Sequence, residues 1–179
     1  TDVQNFFDKN NEKIILKPLK GSGGKNVFLI NKESAQNLKQ TVEAIARDGY
    51  IIAQEYLPEA SKGDLRFFLL DGEPIEINGK YAAVRRVQPE NEIRSNVHQG
   101  ATMHAAEIDE DTLKVVKLVA DQLVKDGMYL VGLDIVGSKI MEINVFSPGA
   151  LQQASELTGQ DFISVIIKDI EHKIHDRKK

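Results

Sequence analysis

The fold is decided by the stretch GLDIVGSKIMEINV, residues 132–145. Two apolar arms flank a Gly-Ser pair, and this pattern predicts a β-hairpin. Side chains alternate along a strand, so Glu142 and Asn144 are predicted to share one face of the second arm, while its apolar side chains share the other. Acids and an amide inside apolar strands are costly unless partners compensate them.

Three hard oxygen donors lie in this hairpin, namely Asp134, Glu142 and Asn144. Mg²⁺ usually takes one or two carboxylates and leaves its other positions for water and phosphate oxygens. The hairpin therefore predicts a site for a metal and a nucleotide. The alternative is that the acids form ordinary salt bridges on a solvated face.

The metal hypothesis depends on the register of the hairpin. Cross-strand partners share a face, and a slip of one residue moves a side chain to the other face. A regular hairpin with a two-residue turn would set Asp134 opposite Met141, away from Glu142. A three-residue loop at 137–139 would pair Asp134 with Glu142. We therefore predict the longer loop or an equivalent bulge.

Composition narrows the function classes. The chain has 179 residues, of which 41% are hydrophobic and 28% charged, enough for a substantial core with two lobes. A net charge of -4 argues against a general nucleic-acid binder. The absence of cysteine excludes disulfides and thiol catalysis and fits a cytoplasmic location. No apolar run is long enough for a membrane span, so we expect no membrane partner.

The predicted elements follow one another as an α+β architecture with two sheet-containing lobes. Strands are predicted at 13–19, 26–30, 50–56, 65–70 and 74–84, and helices at about 32–47, 109–125 and 161–175. Residues 88–102 are polar and lack apolar periodicity, so they are predicted to form a lid or binding loop. The motif Ser147-Pro148-Gly149 is predicted to begin a short helix whose free N–H groups can bind an anion.

Lys17 lies at the end of a buried-looking strand, before the turn Gly21-Ser22-Gly23-Gly24. A lysine ammonium there can reach a nucleotide phosphate, and glycines let the backbone come close and donate N–H groups. The segment lacks the Gly-Lys-Ser/Thr of a Walker motif. An ordinary hairpin tip beside a surface lysine is the alternative.

Two further groups of residues fit nucleotide chemistry. The segment Gln54-Glu55-Tyr56-Leu57 ends a strand, and free backbone groups at a strand end can bind an adenine edge. The alternative is a strand that simply runs into a loop. Arginine suits bidentate recognition of phosphate, and several lie on or near strands, together with an acid: Asp64, Arg66, Arg85, Arg86 and Arg94.

Six motifs occur in a fixed order: ILKPLKGSGG (15–24), AQEYLP (53–58), GDLR (63–66), IRSN (93–96), VGLDI (131–135) and EINVFSP (142–148). Together they resemble the C-terminal ATP-grasp region of prokaryotic-type glutathione synthetase over nearly the whole chain. The resemblance implies an α+β ATP-grasp fold with largely antiparallel sheets. It implies a smaller lobe at about 1–55 and a larger lobe at about 56–179, with the nucleotide between them.

The resemblance also implies a reaction. The family activates the carboxylate of γ-glutamylcysteine with ATP and joins the acyl phosphate to the amine of glycine, which makes it an ATP-dependent C–N ligase. The implied ATP-binding residues are Lys17, Gly21, Ser22, Gly23 and Gly24 at the phosphates, Gln54, Glu55, Tyr56 and Leu57 at the adenine, and Asp64 at the ribose. The implied ligands of Mg²⁺, or of Mn²⁺ in its place, are Asp134, Glu142 and Asn144.

The remaining implied roles concern phosphoryl transfer and the peptide substrate. Arg66 and Arg86 would stabilise the transferring phosphoryl group, and Arg94 and Asn96 would lie on the loop that closes the site. Ser147 and Gly149 would help to bind the peptide.

This sequence departs from the family pattern. It lacks the family's N-terminal substrate domain and an earlier ATP-contacting lysine, so we expect a fragment of a longer enzyme, with little activity alone and homo-oligomeric when full length. Gly149 stands where the family usually has threonine. The alternatives are another ATP-grasp peptide or amino-acid ligase, or an ATP-binding regulatory module without catalysis.

Overall fold

A computed structural model describes residues 2–21, 24–88 and 101–176, apart from the side chain of residue 48. The chain divides into two compact units. The first comprises Thr1–Ser61 with Gln88–Ala101, and the second comprises Lys62–Val87 with Thr102–Lys179. None of the helices within the described ranges is long and apolar enough to cross a membrane.

The first unit contains a three-stranded antiparallel sheet. Its strands are β1 (Ile14–Pro18), β2 (Phe28–Ile30) and β3 (Ile51–Glu55), in the order β2-β1-β3. Alternation along β1 turns Ile14 and Leu16 inward, where both are fully buried. They pack with side chains of helices α1 (Asp2–Lys9) and α2 (Leu38–Ile45), among them Phe7, Leu38 and Ile45.

The helix predicted at 32–47 is shorter than expected. The α-helical part is Leu38–Ile45, with 3-10 turns at Ala35–Asn37 and Ala46–Asp48. Asn31 and Ser34 explain the late start, because each backbone N–H donates to the other's side chain at 3.0 Å. Such local hydrogen bonds hold a turn that competes with the helix.

The second unit is built on a six-stranded antiparallel sheet. The strands are β4 (Asp64–Leu70), β5 (Glu73–Pro74), β8 (Ala83–Val87), β9 (Thr102–Ala105), β10 (Leu130–Val136) and β11 (Lys139–Asn144). The main path of the sheet runs β11-β10-β4-β8-β9, and β5 also pairs with β4. Strands β6 (Glu76–Ile77) and β7 (Lys80–Tyr81) form a separate hairpin.

Both faces of this sheet are covered by helices. Helix α3 (Glu110–Lys125) lies on one face, where Phe67 and Leu133 are fully buried. Helices α4 (Leu151–Thr158) and α5 (Phe162–Asp176) cover the other face, where Phe68 is fully buried. Because β4 packs against helices on both sides, it is apolar almost without interruption, and its two polar residues, Asp64 and Arg66, lie among buried neighbours.

One predicted strand of this unit differs from the structure. The strand predicted at 74–84 is wrong, because the chain leaves the sheet after β5, forms the β6–β7 hairpin and returns as β8. Asn78 and Gly79 form its turn with φ of 52° and 76°, and Asn-Gly is the strongest sequence signal for such a turn. Thr102, the last residue of the loop predicted at 88–102, already belongs to β9, and residues 89–100 lie outside the described residues.

Gly63 is predicted to be essential for the packing of β4 against β8. It has a φ of +89°, and a Cβ there would lie 2.0 Å from the backbone oxygen of Arg86. Gly79 is a matched control, because its φ is +76° but nothing lies within 4 Å of an added Cβ. We expect Gly79→Ala to cost about 1 kcal/mol of unfolding free energy, since only left-handed strain is added.

Gly63→Ala is expected to cost about 3 kcal/mol or more, since overpacking adds to the same strain. Urea denaturation of both variants measures the difference. Equal destabilisation by the two substitutions would contradict the close approach of Gly63 to β8.

Candidate active site

Four buried charged residues meet on one face of the larger sheet. Asp64 and Arg66 come from β4, Arg86 from β8 and Asp134 from β10, with exposed fractions between 1% and 6%. The register places Asp134 beside Arg66 and Asp64 beside Arg86. Cross-strand partners share a face, so the four side chains converge, and we call them the arginine–aspartate cluster.

Asp134 is the centre of this cluster. Its Oδ1 accepts from Nε of Arg66 at 2.5 Å, and its Oδ2 accepts from Nη2 of Arg66 at 3.0 Å. The same Oδ2 lies 2.8 Å from Nη2 of Arg86. Arg86 also donates to Asp64, from Nε to Oδ1 at 3.1 Å and from Nη2 to Oδ2. Each carboxylate therefore receives a two-pronged guanidinium, the geometry that arginine favours.

Pairing explains why these charges tolerate burial. Two carboxylates and two guanidiniums give a formal charge of zero, whereas an isolated buried charge would cost several kcal/mol. Burial by itself lowers the pKa of Arg86, but hydrogen bonds and charge from Asp64 and Asp134 outweigh it and raise the pKa above its ordinary value. Arg86 therefore keeps its positive charge at neutral pH.

The hairpin of β10 and β11 has the register that the metal hypothesis requires. Asp134 pairs with Glu142, and Gly132 pairs with Asn144. The predicted three-residue loop is wrong, because Val136 pairs with Lys139 across a two-residue turn. The equivalent bulge is confirmed, since the register shifts between Asp134 and Ile135.

The bulge lets β11 place Ile140 against the core under α3 and Glu142 on the opposite face of the sheet, beside Asp134. Ile135 pairs with Ile140, and Ile140 packs against the core under α3. In a regular strand Ile140 and Glu142 would share a face, because they are two residues apart. Met141 is the extra residue, and it rotates Glu142 to the face of Asp134.

The three proposed metal donors are of the type that a hard cation takes, and they lie on one face of the hairpin. Glu142 is exposed and Asn144 is half-buried on the same face as Asp134. Nδ2 of Asn144 lies 3.4 Å from Oδ2 of Asp134 and 3.3 Å from the backbone oxygen of Gly132. The described residues contain no group of three or more His, Cys, Asp or Glu arranged to hold a metal. Two carboxylates and one amide are the donor set, and the metal role stays a prediction.

The segment after β11 begins its helix later than predicted. Ser147 has a φ of 48° and Ala150 a φ of 83°, and α4 starts only at Leu151. Non-glycine residues seldom adopt this left-handed conformation. The carbonyl oxygen of Gly149 accepts from Nη1 of Arg66 at 3.1 Å, so this turn touches the arginine–aspartate cluster. The peptide-binding role of Ser147 and Gly149 stays a prediction.

Gly132 contributes to the site although it was not predicted from the sequence. A Cβ at Gly132 would lie 2.9 Å from Cβ of Pro148 and 3.0 Å from Cδ of Arg66. The missing side chain makes room for the stem of Arg66. A glycine inside an apolar strand was the available signal, because it often marks a close approach of other groups.

The first unit carries the residues predicted to bind the nucleotide, apart from Asp64, which lies in the second unit. Lys17 and Ile15 lie on the sheet face opposite Ile14 and Leu16, which pack against the helices. Gln54 pairs with Ile15, so Lys17 and Gln54 share that face. Glu55 is the last residue of β3, and Tyr56 and Leu57 follow it.

Of the other residues predicted for the site, some are described by the structure and some are not. Nζ of Lys13 lies 3.9 Å from the ring centroid of Tyr56, a cation–π contact. A Cβ at Gly21 would lie 3.2 Å from Cγ of Pro18, and Gly24 has a φ of 71°. Four predicted site residues lie outside the described residues: Ser22, Gly23, Arg94 and Asn96.

Comparison with solved structures defines the class of fold. The D-cycloserine synthetase DcsG matches with a TM-score of 0.64 and 18% identity, covering 87% of this chain and 58% of that chain. A D-alanine–D-alanine ligase from Bacillus anthracis matches with a TM-score of 0.59 and 14% identity, covering 98% of this chain and 60% of that one. The chain has the ATP-grasp fold, as predicted.

Sequence comparison defines the family. The family described as "Prokaryotic glutathione synthetase, ATP-grasp domain" matches residues 1–159. The glutathione synthetase of Agrobacterium fabrum is 37% identical over 177 residues, covering 96% of this chain and 53% of the relative. The chain belongs to this family, which confirms the resemblance in the motifs. It spans about half the length of the curated relatives that it matches.

The two carboxylates of the hairpin are predicted to differ in what they contribute to stability. Asp134→Asn removes the charge that two buried guanidiniums share, and we expect a loss of about 3 kcal/mol of unfolding free energy or more. Glu142→Gln changes an exposed carboxylate, and we expect a change within about 0.5 kcal/mol. Thermal and denaturant unfolding of both variants at neutral pH test the contrast. Similar stabilities would show that the arginine–aspartate cluster is not a structural element.

Proposed function

We propose that this chain is the ATP-grasp part of a glutathione synthetase, which uses ATP to join γ-glutamylcysteine to glycine. The family match supports the class of reaction, since ATP-grasp ligases in general use ATP with a divalent metal ion. The observation that carries the proposal is the arginine–aspartate cluster, which shares its sheet face with Glu142 and Asn144.

The proposed reaction has two steps. A carboxylate oxygen of γ-glutamylcysteine attacks the γ-phosphorus of ATP, the bond from that phosphorus to the β-phosphate oxygen breaks, and ADP leaves. The amine of glycine then attacks the acyl carbon, phosphate leaves with the bonding electrons, and the amine gives up a proton. Neither step needs a covalent nucleophile from the protein, so the protein's work is to position groups and neutralise charge.

Residues of the second unit suit the charge that develops in the first step. Arg66 and Arg86 are held by carboxylates in a fixed fork, and such preorganised guanidiniums stabilise a transferring phosphoryl group. Asp134, Glu142 and Asn144 would hold Mg²⁺ or Mn²⁺. Mg²⁺, when bound, would supply positive charge to the phosphate oxygens.

Residues of the first unit suit the nucleotide itself. Lys17 would contact a phosphate, and the glycine-rich turn that follows β1 would approach the phosphates with backbone N–H groups. The backbone at the end of β3, from Gln54 to Leu57, would bind the adenine edge.

The identity of the two substrates and the oligomeric state are inferred from the resemblance to the family. Gly149 in place of the usual threonine favours one second candidate, a ligase of the same class that joins a different acid and amine. The homo-oligomeric state of the longer protein and its cytoplasmic location also stay predictions.

The reaction can be tested on the longer protein that contains this chain. We expect ATP-dependent phosphate release that requires both γ-glutamylcysteine and glycine, because the acyl phosphate forms on the first and is consumed by the second. The assay compares this pair with other dipeptides and amino acids. Release that does not depend on glycine would remove the glutathione assignment, and release with another pair would identify the second candidate.

Glu142 provides a test of the metal site. We expect Glu142→Ala to weaken Mg²⁺-dependent binding of a non-hydrolysable ATP analogue about tenfold or more, the effect of losing one charged contact of about 1.4 kcal/mol. Glu171→Ala is the control, because Glu171 is an exposed glutamate on α5. Calorimetry of the two variants makes the comparison, and unchanged binding in Glu142→Ala would exclude Glu142 as a metal ligand.

A further inference from the structure

Helix α5 is apolar on two faces. On the inner face Phe162 and Ile166 are buried in the core of the larger sheet. A surface helix usually carries one apolar stripe, and a helix that is apolar on most sides is usually buried. The second face of α5 carries four isoleucines, each between 38% and 51% exposed, which we call the outer stripe: Ile163, Ile167, Ile170 and Ile174.

The outer stripe has the spacing of a helix-packing seam. Its members are four, three and four residues apart, so they follow one line along most of the 15 residues of α5. Exposed apolar residues that occur singly are ordinary. Leu118 on α3 is of that kind, because the exposed positions one turn away from it are polar: Lys114, Asp121 and Gln122. The continuity of the outer stripe therefore indicates a docking surface.

The outer stripe continues into a groove at its C-terminal end. The groove has a volume of about 360 Å³ and is lined by six residues: Asp71, Gly127, Tyr129, Ile170, Lys173 and Ile174. Nζ of Lys173 lies 2.6 Å from Oδ2 of Asp71. The hydroxyl of Tyr129 donates to Oδ2 of Asp169 at 2.6 Å. A small-molecule site directs its polar groups at the ligand, whereas these groups bond to one another, so the groove suits an apolar side chain of a protein partner.

The longer relatives indicate where that partner comes from. The curated relatives that this chain matches are about twice its length. The match to the ATP-grasp domain ends at residue 159, before α5 begins at Phe162. The relative from Agrobacterium fabrum matches 96% of this chain, which leaves too few residues unmatched to exclude most of α5. Helix α5 is therefore shared with the longer proteins although it lies beyond the matched domain.

We propose that the outer stripe of α5 is the surface on which the remaining part of the longer protein docks, with an apolar side chain of that part in the groove at Ile170 and Ile174. The inference goes beyond the proposed function, since it does not depend on which acid and amine are joined.

A second copy of this chain is the rival occupant of the outer stripe. A stable interface between separate proteins uses about 20 to 30 residues on each side, more than one helix of 15 residues offers. A covalently attached part needs a smaller surface, because its docking is intramolecular and its effective concentration is high. The size of the outer stripe therefore favours a part of the same protein.

The docking surface also lies on the functional side of the larger sheet. Phe68 is buried under α4 and α5. Arg66 is two positions before Phe68 on β4, so both side chains are on the same face of the sheet. A part of the protein that docks on α5 is therefore held on the face that carries the arginine–aspartate cluster, where it can contribute residues to the site.

Photo-cross-linking in the longer protein identifies what covers the outer stripe. Ile167 is replaced by p-benzoylphenylalanine, the protein is irradiated, and peptide mass spectrometry locates the cross-linked partner. We expect cross-links from position 167 to peptides outside the 179 residues of this chain. The same replacement at Leu118 is the control and should give no such cross-link. Cross-links from position 167 to residues of a second copy of this chain, or to no peptide at all, would overturn the inference.

Thiol labelling of the longer protein tests the same surface with a smaller substitution. Ile167→Cys and Leu118→Cys are pulsed with N-ethylmaleimide, and mass spectrometry measures the labelling of each position. We expect labelling at position 167 to be about tenfold slower or more, because that thiol reacts only when the docked part opens. In denaturant the two rates should become equal.

The labelling rates also separate the two occupants. Equal rates in the folded protein would contradict a covered stripe. Protection of position 167 that disappears when the protein is diluted to a monomer would assign the stripe to a second copy, whereas protection that persists supports the docked part. Neither experiment measures ligation, so a failure of the glutathione assignment leaves both results unchanged.

Discussion

Charge neutrality inside the larger sheet is the constraint on which the rest of the site depends. Asp64, Arg66, Arg86 and Asp134 are buried together, and removal of any one would leave the cluster with one uncompensated charge. The strands have to bring these residues into register, and Gly132 has to leave space for the side chain of Arg66. An apolar sheet covered on both faces can contain a polar cluster because every charge has an opposite charge within hydrogen-bond distance.

Much of the fold could be predicted because the local signals agree with the packing. Helix α3 covers Glu110–Lys125, close to the predicted 109–125, and Asp109 caps its start by accepting from the backbone N–H of Thr112. The prediction was less accurate where two local sequence signals favoured different structures. The Asn-Gly turn at 78–79 interrupts what reads as one long apolar strand, and the mutual hydrogen bonds of Asn31 and Ser34 delay a helix that propensity alone would start earlier.

The candidate site was predictable as a set of residues but not as a set of contacts. With a two-residue turn, Asp134 and Glu142 can share a face of the hairpin only through a bulge, and the structure has that bulge. The pairing of Asp64 with Arg86 joins residues that are 22 positions apart. It depends on how β4 meets β8, which no periodicity within either strand reveals. The approach of Arg66 to Gly132 depends on the same tertiary geometry.

The bulge at Met141 also affects how hairpins of different length should be aligned. A hairpin shorter by this one residue would reach the pairing of Asp134 with Glu142 through a regular strand, since Ile135 would still oppose Ile140. A gap of one position here therefore preserves the arrangement of the acids. A gap of one position between Asp134 and the turn would move one acid to the opposite face unless a second change compensated for it. In comparing homologues, the side of the turn on which a deletion falls is more informative than the length of the hairpin.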